Sequence, residues 1–250
     1  MRLPFVFAAI TLISAVGAAE DVKKFQKTVP LEPAGRFSLD TYKGSIRITA
    51  WDRSQVEIDA RIVADPFSLF AGSVDDAEIR VDNSPGDVRV RTVYRQPRSF
   101  FEGNMPSVEY TVHVPRRASL SVKDYKSDSD IAGVEGGVEF TTYKGTARIN
   151  GLRGPLRANT YKGEIRAAFA AFNTGSSVET YKGEIDLSLP SKSAFEIRAK
   201  LERHATLDSD FPRTIRSSTH RNDFQGSVNG GGPPLRVSSY RGNIRLHSTN

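Results

Sequence analysis

Six of the eight tyrosines in this chain stand in one four-residue context. Thr41-Tyr42-Lys43-Gly44, Thr142-Tyr143-Lys144-Gly145, Thr160-Tyr161-Lys162-Gly163 and Thr180-Tyr181-Lys182-Gly183 repeat it. Asp124-Tyr125-Lys126-Ser127 and Ser239-Tyr240-Arg241-Gly242 are variants. A ring followed by a cation can meet sugar rings or anionic groups. It can equally pack ring on ring, with lysine stems covering the stack. Both readings stay open at this stage.

Other chemistry is sparse. With no cysteine, disulfides, thiolate metal sites and a cysteine nucleophile are excluded. His113, His204, His220 and His247 are scattered, and none has the His-Glu-x-x-His spacing of a zinc enzyme. His204 with Asp208 or Asp210 and a serine would resemble a triad, but no nucleophile elbow accompanies it. Asp124, Asp128 and Asp130 offer the oxygens that calcium prefers. The glycine-rich calcium repeat of β-rolls is absent, so a solvated corner is expected there. Gly230-Gly231-Gly232-Pro233-Pro234 is a turn rather than a phosphate loop, since no helix follows. The sequence thus assigns no catalytic residue, no cofactor and no metal ligand. A carboxylate pair suited to a glycosidase or lyase could still assemble from distant residues.

The spacing shows what positions the tyrosines. Tyr125, Tyr143 and Tyr161 are 18 residues apart, Tyr181 follows after 20, and Tyr240 after 59, close to three further steps. Ile131-Ala132-Gly133-Val134-Glu135-Gly136 aligns at the same offset with Ile149-Asn150-Gly151-Leu152-Arg153-Gly154. Such self-similarity signals a repeat architecture. Within a unit, strict alternation points Val178, Thr180, Ile185 and Leu187 to one face and Glu179, Tyr181, Glu184 and Asp186 to the other. The same register puts Phe140, Thr142, Ala147, Ile149, Leu235, Val237, Ile244 and Leu246 inward. Short runs bounded by Gly, Pro and Asn are strands, and no stretch after the first twenty residues has a period of 3.6.

One such unit cannot bury its apolar face alone. Stacking units about 4.8 Å apart buries a continuous core. The expected fold is therefore all-β, a β-solenoid with rungs of 18–20 residues; the alternative is a β-sandwich. Stacking would align Tyr125, Tyr143, Tyr161 and Tyr181 beside Lys126, Lys144, Lys162 and Lys182. Outward glutamates such as Glu164, Glu179 and Glu184 would weakly offset the lysine repulsion.

Arg2, the apolar stretch Leu3–Gly17 and the small residues Gly17-Ala18-Ala19 read as a signal peptide over residues 1–19. An uncleaved anchor is the rival reading. The net charge of +6 is modest, and its basic and acidic residues interleave. That suits a solvated surface or attraction to anionic envelope polymers, and it carries no basic cluster or motif for nucleic acid.

These residues resemble the DUF4097 family, adhesin-type proteins of uncharacterised function related to adhesin-head domains with Gly-Ile-Asn repeats. Gly44-Ser45-Ile46-Arg47-Ile48 followed by Ala50-Trp51-Asp52 resembles its first repeat. Gly183-Glu184-Ile185 and Gly242-Asn243-Ile244 resemble its recurring corner, and Ser227 to Gly232 with the strand from Leu235 resembles its C-terminal end. The resemblance implies a β-solenoid at the cell envelope and no activity. Thr-Tyr-Lys-Gly departs from the Asn or Ser of many members.

The organisation expected is a signal over 1–19, a portion over 20–115 with the first repeat, and regular repeats over 116–250, as one continuous domain over 30–250. The loop regions would be 96–106 and 212–222. The expected function is a non-catalytic protein of the periplasm, cell surface or exterior. It would be an adhesin or scaffold that presents the Tyr/Lys stripe to a glycan or anionic polymer, with self-association through its open ends as a further partner mode. An enzyme acting on acidic polysaccharide is the alternative.

Overall fold

The computed structural model describes residues 22–64, 73–95, 105–211, 214–217 and 223–250, with only the backbone of 214–217. The signal-peptide region, residues 96–104 and His220 lie outside the described residues. Nineteen strands are described: β1 (Val22–Pro30), β2 (Arg36–Asp40), β3 (Lys43–Trp51), β4 (Gln55–Val63), β5 (Ala77–Ser84), β6 (Asp87–Tyr94), β7 (Ser107–Pro115), β8 (Ser119–Lys123), β9 (Lys126–Ala132), β10 (Val138–Leu152), β11 (Leu156–Phe169), β12 (Ser176–Lys182), β13 (Ile185–Pro190), β14 (Phe195–Leu201), β15 (Thr206–Ser209), β16 (Thr214–Ser217), β17 (Asp223–Val228), β18 (Pro234–Arg241) and β19 (Asn243–Thr249). The one helical element among the described residues is a 3-10 turn, Val74–Asp76.

The protein is a β-solenoid. A typical rung runs up one wall, turns at the Tyr-Lys corner and returns along a second wall. The first wall stacks β6, β2, β8, the start of β10, the start of β11, β12, β18 and β14 in parallel. The second stacks β7, β3, β9, the ends of β10 and β11, β13, β19 and β15 in parallel. The register is like on like: Phe140 meets Ala158, Thr142 meets Thr160, and Ile165 meets Ile185.

Alternation explains the core. Phe140, Ile149, Ile165, Val178, Ile185, Leu187, Leu235 and Ile244 are all at 0–1% exposure. Burying each large aliphatic or aromatic chain stabilises the fold by roughly 1.5–3 kcal/mol. One apolar cluster runs from Val29 to Leu246.

The ends depart from simple parallel stacking. β4 pairs antiparallel with both β1 and β7, β5 with β6, and β17 with both β14 and β16. These strands cover the terminal strands β7, β6 and β14, while β15 at the end of the second wall pairs only with β19 among the described residues. Exposed Lys23, Lys24 and Lys27 on β1 discourage pairing with another chain. Thr214–Ser217 is strand β16, so the loop expected over 212–222 is corrected there: β17 supplies its backbone partners.

Stacking order is not chain order. β2 and β3 sit against β8 and β9, so the Tyr42 rung lies next to the Tyr125 rung. β18 and β19 sit against β12 and β13, so Tyr240 lies one rung from Tyr181 rather than three. The intervening β14 and β15 form the rung beyond, which spends chain length without separating the two tyrosines.

Candidate functional site

The corner is built by a buried threonine, an outward tyrosine and a glycine that must stay bare. Thr41, Thr142, Thr160, Thr180 and Ser239 are buried. Gly145 has φ +123, and a Cβ there would run into the Ser127 carbonyl oxygen of the rung below. Lysine and glycine together carry the chain around the bend.

Six tyrosines stack at this corner in a single column. Ring centroids are 4.6 Å apart from Tyr42 to Tyr125, 4.7 Å from Tyr125 to Tyr143, 4.9 Å from Tyr143 to Tyr161, 4.8 Å from Tyr161 to Tyr181 and 4.5 Å from Tyr181 to Tyr240. Interplanar angles are 2–10°. The sequence stripe omitted Tyr42 and Tyr240; their shared motif was the signal that could have included them. Tyr94 closes one end edge-on, at 6.0 Å from Tyr42. Arg203 closes the other: its Nε donates to the Tyr240 hydroxyl at 2.5 Å, and its guanidinium sits 5.5 Å from the ring centre. Arg203 adopts φ +48 in the turn between β14 and β15, so Glu202-Arg203-His204 is a degenerate corner.

A row of cations runs beside the rings. Lys43 pairs in register with Lys126, Lys126 with Lys144, Lys144 with Lys162, Lys162 with Lys182, and Lys182 with Arg241. Lys144, Lys162 and Lys182 hold their ammonium groups 5.7–5.8 Å from their own tyrosine rings. Among the described residues, none of the five lysines has a carboxylate within ion-pair distance. Two of the three expected glutamate counter-charges, Glu164 and Glu184, are engaged by arginines, whereas Glu179 has no ion-pair partner among the described residues. Arg166 binds Glu164 at 2.6 Å, and Arg245 binds Glu184 at 2.9 Å and Asp186 at 3.3 Å. The arginine fork fits a carboxylate better than an ammonium does, so arginines of the second wall neutralise Glu164, Glu184 and Asp186, and the lysines stand without ion pairs among the described residues. Glu164, Glu184 and Asp186 come within 4.8 Å of one another, but these same arginines occupy them.

Beneath the corner lies a polar rung. Asp124 takes the threonine position and is buried, not solvated. Its Oδ1 accepts from the Ser127 amide and the Thr142 hydroxyl, both at 2.9 Å. Its Oδ2 has no partner, nor do the hydroxyls of Ser127 and Ser129. Burial, partly opposed by those two hydrogen bonds, pushes the Asp124 carboxyl up to about 7. Burial raises Tyr94 to about 12.

The three described histidines form no shared site. His113 stacks on Trp51 at 5.1 Å. His247 Nδ1 lies 3.4 Å from Asp210, which takes that aspartate from the imagined His204 triad. A groove of ≈ 620 Å³ crosses the outer face of β1, β4, β7, β3 and β9, with Asp59, Glu109, Asp128 and Asp130 among its lining. Three of these are held: Glu109 by Arg61 at 3.0 Å, Asp128 by the Thr146 amide at 2.8 Å, and Asp130 by Arg148 at 3.9 Å.

A family model described as Toastrack DUF4097 matches residues 34–247. No curated protein matches the chain. Among solved structures, a "putative cell adhesion protein" from Clostridium sporogenes is 11% identical with a TM-score of 0.46, covering 91% of this chain and 100% of that one. A "putative adhesin" from Bacteroides fragilis is 12% identical with a TM-score of 0.45, covering 90% and 97%. Similarity at this level is silent on ligand and activity.

Proposed function

We propose a binding role for this chain, which belongs to the Toastrack DUF4097 family: an exported, non-catalytic envelope protein whose Tyr/Lys edge holds a linear anionic polymer. The observation that carries the reading is the row Lys43, Lys126, Lys144, Lys162, Lys182 and Arg241, without ion pairs among the described residues while Glu164 and Glu184 are held by arginines. At about 4.8 Å per rung, six cations extend over roughly 24 Å. One exposed contact contributes little, but a polymer meeting six in register gains by effective concentration.

The stack also discriminates between ligands. Stacking on a flat sugar face needs a free ring face, and inside the column each ring face is covered by the next. Phenol edges and ammonium groups are what the edge presents. That favours a polyanion, such as an acidic polysaccharide, over a neutral glycan. An adhesive or scaffolding role at the periplasm or cell surface fits such an edge. The antiparallel strands over β6 and β14 and the Lys-rich β1 beyond β7 oppose self-association at those edges, while β15, paired only with β19 among the described residues, is the edge left for it.

Titration calorimetry with polygalacturonate and with uncharged dextran of equal length tests this. Polygalacturonate should bind, and more weakly as salt rises, while dextran should not bind. The K144Q/K162Q/K182Q variant should lose at least tenfold in affinity. Failure of polygalacturonate, polyphosphate and heparin alike to bind would reject the reading. The groove bearing Asp59 is where an enzyme on acidic polysaccharide would need its acid and base. Asp59 is its one carboxylate without a close partner, so that reading ranks second; turnover of polygalacturonate abolished by Asp59→Asn would reverse the order.

A further inference from the structure

We propose that the tyrosine column is an oxidative modification site, at which one-electron oxidation joins adjacent rungs through dityrosine bonds. This is independent of any ligand at the lysine row. Five successive pairs lie face to face, with centroids 4.5–4.9 Å apart and planes within 10° of parallel. In that arrangement the π faces of two phenoxyl radicals lie against each other, so their ortho carbons need only a small slide or tilt to couple. The remaining tyrosines lack it. Tyr94 meets Tyr42 edge-on at 70°, and Tyr110 is buried with its hydroxyl 2.7 Å from Thr92.

The column is also reachable. Tyr161 and Tyr181 are 39% and 37% exposed at their rims, so electrons and phenolic protons can leave to solvent. Competing sinks are few: the chain has no cysteine and only two methionines. The single tryptophan, Trp51, is sandwiched by His113 and Arg53. Ammonium groups 5.7–5.8 Å from the rings disfavour a ring radical cation. Oxidation therefore passes through the neutral phenoxyl radical, with the proton released to water.

The balance is simple. Each of two tyrosines loses one electron and its phenolic proton. The two radicals couple at their ortho carbons to form one carbon–carbon bond. Each ortho hydrogen then leaves as a proton while the phenol oxygen regains one, which restores both aromatic rings. The net loss is two electrons and two protons. The electron acceptor is a peroxide: hydrogen peroxide, acting through a peroxidase, takes both electrons and both protons and yields two waters. Persulfate with a photo-oxidant is its laboratory equivalent and yields two hydrogen sulfates. The product would tie Tyr42 to Tyr125 and Tyr181 to Tyr240, rungs far apart in the chain, as well as the 18- and 20-residue neighbours. Such rivets would make the stack harder to unravel in an oxidising envelope.

The test is photo-oxidation of the folded full chain with a ruthenium trisbipyridyl complex and persulfate. It is read by dityrosine fluorescence and by mass mapping of the cross-linked peptides. The expected products are intramolecular pairs between neighbouring column tyrosines, each two hydrogens lighter, with a yield that does not change on dilution. The Tyr125→Phe/Tyr161→Phe/Tyr240→Phe variant keeps every ring but leaves no two stacked phenols in the column, only the edge-on pair Tyr42 and Tyr94. Its yield should fall at least tenfold at an unchanged circular dichroism spectrum. Should that variant not fold, Tyr161→Phe alone must erase the 143–161 and 161–181 products and spare 42–125. Cross-links that form only between molecules, that involve Tyr94 or Tyr110 equally, or that survive in the triple variant would overturn the proposal. So would the absence of dityrosine in the folded protein.

Discussion

Tyr181 and Tyr240 stack at 4.5 Å, although the chain makes a further rung and a hairpin between them. The Tyr240 face turned away from Tyr181 meets not another tyrosine but the guanidinium of Arg203. The column thus ends on a cation whose own rung is the last in the parallel stack of the first wall, before β17 turns antiparallel. An aromatic column that ended on a bare face would expose apolar surface there; a cation over that face supplies an attractive contact.

Arg203→Ala should therefore destabilise the protein only mildly, by about 0.5–1 kcal/mol, the usual contribution of an exposed cation–π contact. Arg203→Lys should recover part of this but not the hydrogen bond to the Tyr240 hydroxyl. Urea midpoints of the two variants check it. A loss of several kcal/mol would mean that the corner itself, not the cap, depends on Arg203.

Asp124 should make stability depend on pH. Its folded value, raised to about 7, lies above the unfolded value near 3.9. The fold prefers the protonated acid, so the contribution is fully present below about pH 4 and is lost as pH rises through about 7. Asp124→Asn keeps an acceptor for the Ser127 amide and the Thr142 hydroxyl and removes the titration. The variant should match or exceed the parent at pH 8, lose that advantage at pH 5, and show a flatter profile between them. Thermal melts across this range measure it; parallel profiles would refute the assignment.

Ser129 faces the core between Ile46 and Ala147 with an unpartnered hydroxyl. Ser129→Ala removes a buried polar group that has no bond to lose, and an orphan of this kind costs about 1–3 kcal/mol. The variant should melt higher than the parent. If it melts lower, the hydroxyl is bonded in solution, for instance to a buried water shared with Ser127 and Asp124.

Two glycines at positive φ should respond differently to alanine. Gly145→Ala brings both backbone strain and collision with the Ser127 carbonyl, whereas Gly230, at φ +91, has nothing within 4 Å of its Cβ site. Gly230→Ala should cost about 1–2 kcal/mol from conformation alone. Gly145→Ala should cost distinctly more and should shift the rung spacing at Tyr143. Denaturant titration of the two side by side decides it.

Period-2 alternation was enough to place Phe140, Thr142, Ala147, Ile149, Ile185, Leu187, Ile244 and Leu246 inside, where all eight are buried. A one-residue slip would turn every one of them to solvent, so the pattern leaves a single register. The 18-residue offset likewise determined that Tyr143 lies over Tyr125 and Tyr161 over Tyr143, because in-register stacking of equal rungs puts equivalent positions in line. The sequence by itself thus determined the repeat, its inward and outward faces and the family, while β16 fell where a loop was expected. The tertiary structure alone decided which rung follows which, because strand pairing joins whichever edges meet in space. That is why Tyr42 and Tyr240 joined the column from 83 and 59 residues away. It also decided where charges pair. Arg166 holds Glu164 two residues away on its own strand, but Arg166 also reaches across a rung to Asp186, and Arg245 to Glu184 and Asp186, a choice made by distance and fork geometry that spacing along one chain does not encode. The lysines left over are a property of the stack, and so is the buried Asp124, whose neighbours above and below turned an acidic corner into an interior one.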